Sequence, residues 1–222
     1  MTVVIRNLYT STTNAKRLTY KNQSQLRIEL PFRALIIGKS GSMKSNLMFN
    51  LIELINSWTT IYIFAKNLEQ PLYKTFIPAF EQAGGTIIAS TDLIDLPAIE
   101  DIDNPERVLV IFDDLLAERN LTRVSDYFLR SRSLGISLIF VSQKAQGPGS
   151  TPMMIRSNCD YVFLKQFTAL NSVKRFLSEY DLPEDALQKY KRATQKPEDF
   201  LLIDTISSDD RFKLRHNFSP FT

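Results

Sequence analysis

Cysteine and histidine are almost missing from these 222 residues; Cys159 and His216 are the only examples. One cysteine excludes an internal disulfide and suits a reducing, intracellular setting. One histidine, with no second histidine or cysteine at ligand spacing, excludes the usual zinc patterns and leaves His216 a structural reading. No apolar run approaches the roughly 20 residues that cross a bilayer, and the N-terminus lacks the apolar stretch of a signal peptide. The glycosylation sequons that begin at Asn22 and Asn120 then carry no weight. Internal repeats and low-complexity tracts are absent as well. Charge is nearly balanced: 27 lysines and arginines against 24 acids give a net +3, which permits a polyanionic partner without requiring one. With 44% hydrophobic residues, a chain of this length fits one globular domain with a sizeable core.

What is present is organised around one stretch. The apolar run of residues 34–37 leads into GKSGSMKS, Gly38 to Ser45, and then into an amphipathic segment. A short buried strand that enters a glycine-bearing turn and leaves through Lys-Ser into a helix describes a phosphate-binding loop. Gly38 and Gly41 permit the tight turn, so the N–H groups of Lys39, Ser40 and Ser42 can converge on phosphate oxygens. The helix beginning near Met43 adds its positive end to the same anion site. Lys44 reaches the β- and γ-phosphates of a bound ATP, and the Ser45 hydroxyl is a ligand for Mg²⁺. Met43 stands where the usual pattern G-x-x-x-x-G-K-[ST] has glycine, and its side chain must point away from the nucleotide. The bland alternative is a strand–helix turn that binds nothing.

A second stretch, RVLVIFDD at residues 107–114, is an apolar run ending in two carboxylates. It predicts a buried strand whose C-terminal end carries acids, at the sheet edge where ligands bind in open α/β folds. Asp113 then holds the Mg²⁺ shell and Asp114 orients or activates the attacking water; the competing reading is that either acid caps the next helix. A third run, ISLIFV, ends on Ser142-Gln143. An amide there can hydrogen-bond the γ-phosphate or its water, or simply begin a loop.

Around these stretches the pattern predicts strands at 2–8, 25–30, 59–65, 86–89, 160–164, 200–203 and 212–215. Helices are expected with an apolar face of Leu47, Leu51, Leu54, Ile55 and Trp58, over 68–83 interrupted by Pro71 and Pro78, and with Leu121, Val124 and Phe128 facing inward. Shorter ones fit 153–158, 173–180 and 184–193. Residues 92–105, acidic and proline-bearing, read as a surface loop with a helical turn. The alternation argues for an α/β fold, a mainly parallel sheet with helices on both faces. The interval between Lys44 and Asp113 leaves room for two intervening strands.

GKSGSMKS, VLVIFDDL, RSRSLGISLIFVSQ and MIRSN followed by DYVFL together resemble the FtsK–HerA branch of P-loop ATPases. Within it they are most similar to the genome-packaging ATPases of poxviruses, virophages and other double-jelly-roll viruses with double-stranded DNA. The resemblance covers residues 30–217, closing with FLLID and KLRHNF. It implies a single domain over 1–222: an ATPase core at 31–217, of the additional-strand type, behind a strand-rich extension at 1–30. It implies Mg-dependent ATP hydrolysis by a homo-oligomeric ring, pentamer or hexamer, that drives double-stranded DNA of any sequence into a preformed capsid. Capsid or vertex proteins are then partners, and the host cytoplasm or a viral assembly site, with association at a capsid vertex, is the expected location. The nucleotide site would lie at a subunit boundary, completed by a neighbour's arginine. Arg132 falls on that arginine's motif position, with Arg130 and Arg156 as rivals. Asp114 departs from the glutamate common in the wider branch. Two basic clusters, Lys16, Arg17 and Lys21 early and Lys189, Lys191, Arg192 and Lys196 late, are candidates for DNA contact or for plain solvated faces. Other readings are a translocase serving conjugation or repair, a small P-loop kinase, and a non-hydrolysing assembly protein; the kinase lacks an obvious arginine-rich lid.

Overall fold

The structure, a computed structural model, describes residues 18–115, 121–144 and 151–221. The strand expected at 2–8 and the basic residues Lys16 and Arg17 lie outside the described residues. Nine strands form one sheet: β1 Arg33–Ile37, β2 Thr60–Ala65, β3 Thr86–Ser90, β4 Val108–Asp113, β5 Ser137–Ser142, β6 Tyr161–Leu164, β7 Leu201–Asp204, β8 Leu214–His216 and β9 Ser219–Pro220. Their order is β3-β2-β4-β5-β1-β6-β7-β8-β9. The first six run parallel, and the last three add on antiparallel. β5 lies between β1 and β4, so one extra strand separates the loop of Gly38 to Ser45 from the acids at 113 and 114.

The helices are α1 Gln23–Leu26, α2 Lys44–Ile55, α3 Pro71–Gln82, α4 Thr122–Leu134, α5 Thr151–Ser157, α6 Leu170–Leu177, α7 Ala186–Ala193 and α8 Asp210–Lys213. Alternate residues of each central strand enter opposite cores, as the two-residue period of a strand requires. On one face Ala34, Ile36, Ile61, Ile63, Leu109 and Ile111 pack with α2 and α3. On the other Leu35, Ile37, Val110, Phe112, Leu138 and Phe140 pack with α4 to α7. The strands are therefore apolar on both faces, which is why they read as unbroken hydrophobic runs.

Several local expectations needed correction. Residues 25–30 do not form a strand: Gln23–Leu26 is one helical turn, ended by Arg27 in a left-handed conformation at φ 49°. Buried Arg215 imposes this by donating to the carbonyls of Leu26 at 2.7 Å and Arg27 at 3.4 Å, with Asp204 at 2.8 Å holding its charge. Leu54 is not on the buried face of α2; Met48, Phe49 and Ile52 are, because the helix presents the stripe 47, 48, 51, 52 and 55 to the sheet. Pro71 does not break α3 but begins it, at the position whose N–H needs no helical partner. Pro78 lies inside α3, and the carbonyl it leaves without an amide belongs to exposed Lys74. Residues 93–107 contain three short 3₁₀ turns rather than one, and residues 210–213 form α8 ahead of a β8 that starts at Leu214.

At the N-terminal edge of the sheet, opposite the strand ends that carry the acids, the charges are locked. Arg33 donates to Asp160 through its backbone at 2.8 Å and its guanidinium at 3.1 and 3.3 Å. Cys159 beside it is buried, and burial pushes its thiol up, so it is a packing residue rather than a reactive one. His216 stacks on Phe221 at the far edge of the sheet. Among the described residues no helix is long and apolar enough to cross a membrane.

Candidate functional site

Every strand end that the sequence marked as chemical opens on one edge of the sheet. The loop after β1, the acids ending β4, the amide after β5 and the connection from β2 to α3 surround one cleft of about 630 Å³. Lys44, Ser45, Asp113, Asp114 and Gln143 all line it, as do Ser40, Gly41 and Met43 of the loop.

The loop is built by close approach. A Cβ on Gly38 would fall 2.6 Å from Lys165 Cβ and 2.8 Å from Ser42 Oγ, so no larger residue fits. Gly38 N–H donates to the Ser142 carbonyl at 3.2 Å and Lys39 N–H to that of Gln166 at 2.7 Å, which ties the loop to the ends of β5 and β6. The Lys39 carbonyl accepts from Ser42 N–H at 3.3 Å, Ser42 Oγ at 2.8 Å and Lys44 Nζ at 2.9 Å. The lysine thus lies folded across its own loop. Burial lowers the pKa of its ammonium, and the charges of Asp113 and Asp114 pull it back up.

Met43 has φ 59° and ψ 35°, the left-handed conformation that glycine adopts freely. The backbone therefore keeps the shape of a glycine-bearing loop although the residue has changed. Met43 is 39% exposed and is among the residues that line the cleft. An unbranched thioether can lie along such a wall and move with what enters.

Asp113 is 7% exposed at the end of a strand buried along its length. Burial raises its pKa; a hydrogen bond from Tyr73 lowers it, Asp114 raises it and Lys44 lowers it. Tyr73 Oη donates to Asp113 Oδ2 at 2.7 Å. Sequence reasoning missed Tyr73, because residues 68–83 read only as a helix interrupted by prolines, and a lone tyrosine on an inward face looks like core. Asp114 also has a left-handed backbone, at φ 59°. Its N–H donates to the Val141 carbonyl at 2.9 Å, and its Oδ2 accepts from Gln143 Nε2 at 2.8 Å. Among the described residues neither acid caps a helix: α4 begins at Thr122, and the Asp114 N–H continues the pairing of β4 with β5. Gln143 does not merely begin a loop; it holds the second acid.

Ser45 and Asp113 face the cleft together, and Asp113 keeps one oxygen with no hydrogen bond among the described residues. A hydroxyl, one carboxylate oxygen and room for phosphates and water suit Mg²⁺, which keeps several waters and takes only one or two protein carboxylates. Such a site needs no cluster of three acidic or histidine ligands, and none occurs among the described residues.

The arginines lie elsewhere. Arg130 pairs with Glu100 and Asp126. Arg156 is buried and bonds Glu179 at 2.7 and 3.1 Å. Arg132 has a side chain 55% exposed, with one contact of 3.4 Å to Asp160. None of the three lines the cleft; Arg132 meets Asp160 at the N-terminal edge of the sheet, whereas Arg156 lies by Ile37, Ser142 and Lys144, at the C-terminal ends of β1 and β5. α4 ends at the N-terminal edge in a Schellman turn, with Ile136 N–H on the Ser131 carbonyl at 3.0 Å.

No family model and no curated protein matches the sequence. Solved structures do. The genome packaging NTPase B204 from Sulfolobus turreted icosahedral virus 2, in complex with AMPPCP, superposes with a TM-score of 0.55 at 14% identity, over 83% of this chain and 96% of that one. At that identity the likeness is one of fold, the mainly parallel α/β sheet of P-loop NTPases. Thermomonospora curvata EccC (ATPases 2 and 3) in complex with a signal sequence peptide gives 0.54 at 12% identity, over 80% of this chain and 36% of that one. EssC (ATPases 2 and 3) from Geobacillus thermodenitrificans gives 0.52 at 14%, over 81% and 41%.

The loop geometry yields a stability prediction. A left-handed non-glycine residue costs about 1–2 kcal/mol, part of which glycine would give back in unfolded-chain entropy. Met43→Gly should therefore fold and gain up to about 1 kcal/mol in urea unfolding; a loss of more than that would mean that the methionine side chain is part of the packing.

Proposed function

We propose that this chain is a Mg²⁺-dependent ATPase that moves double-stranded DNA, and that it works as a genome-packaging motor. The observation that carries the ATPase reading is the Gln143–Asp114 bond of 2.8 Å beside the loop of Lys44. An amide-held carboxylate next to a phosphate cradle is equipped to position water, which favours hydrolysis over transfer to an organic acceptor. In this mechanism Lys44 and the amides at the start of α2 hold the phosphates, because the Lys39 and Ser42 N–H groups expected there already donate to the Gln166 and Lys39 carbonyls; Ser45 and Asp113 would hold the metal, which would neutralise developing charge. Asp114, oriented by Gln143, aligns the attacking water.

The packaging reading is supported by B204, whose whole length this chain matches, 96% of it. The secretion ATPases match in fold over 36–41% of their length, so they support the ATPase more than the cargo. Of the basic clusters, Lys191, Arg192 and Lys196 are exposed around the end of α7. Lys189 is partly engaged, by Asp185 at 3.1 Å. These are the residues on which a sequence-independent grip on phosphate backbone would draw.

A ring completes the reading. One lysine and one metal leave charge on the γ-phosphate incompletely neutralised, and an arginine from outside typically adds about 10³ to 10⁵ in rate. Arg132 is the best placed of the three arginines to leave its own protomer, because Arg156 and Arg130 are more fully engaged. Its removal leaves Asp160 paired with Arg33.

Three outcomes follow. Purified protein should hydrolyse ATP with Mg²⁺, and Lys44→Ala, Asp113→Ala and Asp114→Asn should each lose at least about 10²-fold in turnover; near-normal turnover by Lys44→Ala would sink the site. Unrelated duplexes should shift equally in gels, with affinity falling steeply with salt; a peptide cargo with no DNA affinity would move the proposal to the secretion class. Mixing Arg132→Ala with Lys44→Ala protein, each nearly inactive alone, should restore part of the rate. No recovery in proven mixed rings would remove Arg132 as the trans residue.

A further inference from the structure

Tyr73, the third residue of α3, has no exposed surface, and its ring stands edge-on to Phe49 of α2 with centroids 5.2 Å apart. A phenylalanine would fill this space without a polar atom to satisfy. The hydroxyl instead meets Asp113 Oδ2 at 2.7 Å, and both partners are buried. The backbone of the same connection helps: Lys66 N–H donates to the Asp113 carbonyl at 3.4 Å. The segment that forms the wall of the cleft opposite the loop is thus tied to this one acid at its side chain and its backbone.

We propose that Tyr73 is a positioning residue for divalent-cation binding at Asp113: its hydroxyl occupies Oδ2, fixes the carboxylate's orientation, and presents the other oxygen to the metal's ligand shell. The proposal rests on the phosphate-loop reading above and adds to it a residue that touches neither nucleotide nor metal. Partners that orient a metal ligand typically change metal affinity by about 10- to 100-fold when removed. A hydrogen bond serving only to satisfy a buried acid would alter stability and leave metal affinity where it was.

The test measures equilibrium binding of a fluorescent ATP analogue to wild type, Tyr73→Phe and Phe49→Leu, first in EDTA and then across a Mg²⁺ titration, with thermal unfolding of each. Tyr73→Phe should bind in EDTA as wild type does and need about tenfold more Mg²⁺ to reach the tight state. Phe49→Leu keeps the hydroxyl and loosens its packing; it should melt lower with its Mg²⁺ midpoint unmoved. Equal midpoints for wild type and Tyr73→Phe would overturn the proposal. So would a shift in Phe49→Leu as large as that in Tyr73→Phe, or a Tyr73→Phe protein that does not fold, since either assigns the tyrosine to stability. Wild type that binds no nucleotide would overturn the phosphate-loop reading itself, and the proposal with it.

Discussion

Asp113 is a carboxylate at the end of a strand buried on both faces, and the site depends on how its charge is kept there. Taking an acid out of water favours its neutral form, and burial is the largest influence on Asp113. Two side chains oppose it: Tyr73, with a short hydrogen bond, and Lys44, with its charge. Lys44 is caught in the same exchange, since burial disfavours its ammonium and the two acids restore it. Asp113 and Lys44 each favour the other's charged form against burial, and Tyr73, neutral throughout, adds a hydrogen bond to the carboxylate. Phosphates entering the cleft would compete for Lys44, which at present donates to the Lys39 carbonyl.

The two edges of the sheet divide the labour. At the C-terminal edge charges face a cleft and are incompletely paired. At the N-terminal edge, and among the antiparallel strands, buried charges are paired: Arg33 with Asp160, and Arg215 with Asp204 and two backbone carbonyls. Buried pairs of this kind add little net stability, but breaking one is expensive because a charge is left without a partner. They therefore fix geometry. Arg215 fastens the turn at Leu26 and Arg27 to β8, and Arg33 fastens β1 to the start of β6. β1 is consequently held firmly at its base while its other end supplies the loop.

Most of the fold was legible because its strands are buried on both faces and contrast sharply with their surroundings; the expected RVLVIFDD and ISLIFV differ from the observed VLVIFD and SLIFVS by one residue at either end. The loop and the two acids were legible for the same reason, since polar residues that end an apolar run stand out. What escaped depends on contacts distant in sequence. Leu26 and Arg27 alternate well enough for a strand, but Arg215, 189 residues away from Leu26, decides otherwise. Tyr73 reads as core from its own neighbours and becomes part of the site only through Asp113, 40 residues on. Pro71 misled because its effect reverses with position, ending a helix from within and starting one at the first turn.

The departure at Asp114 has a physical account that the pattern alone could not supply. In the proposed mechanism an acid shorter than glutamate would have to come closer to reach the same water. The backbone at Asp114 is left-handed, with φ at 59°. Aspartate enters that region more readily than glutamate, because its short polar side chain can bond locally and relieve the crowding. Gln143 then takes up the carboxylate from β5, whose register with β4 is fixed by the ladder that continues through Asp114 N–H to the Val141 carbonyl. Residue type, backbone conformation and the inserted strand therefore meet at one residue: aspartate suits the left-handed backbone at 114, and β5 beside β4 holds its N–H at Val141 and, through Gln143, its carboxylate.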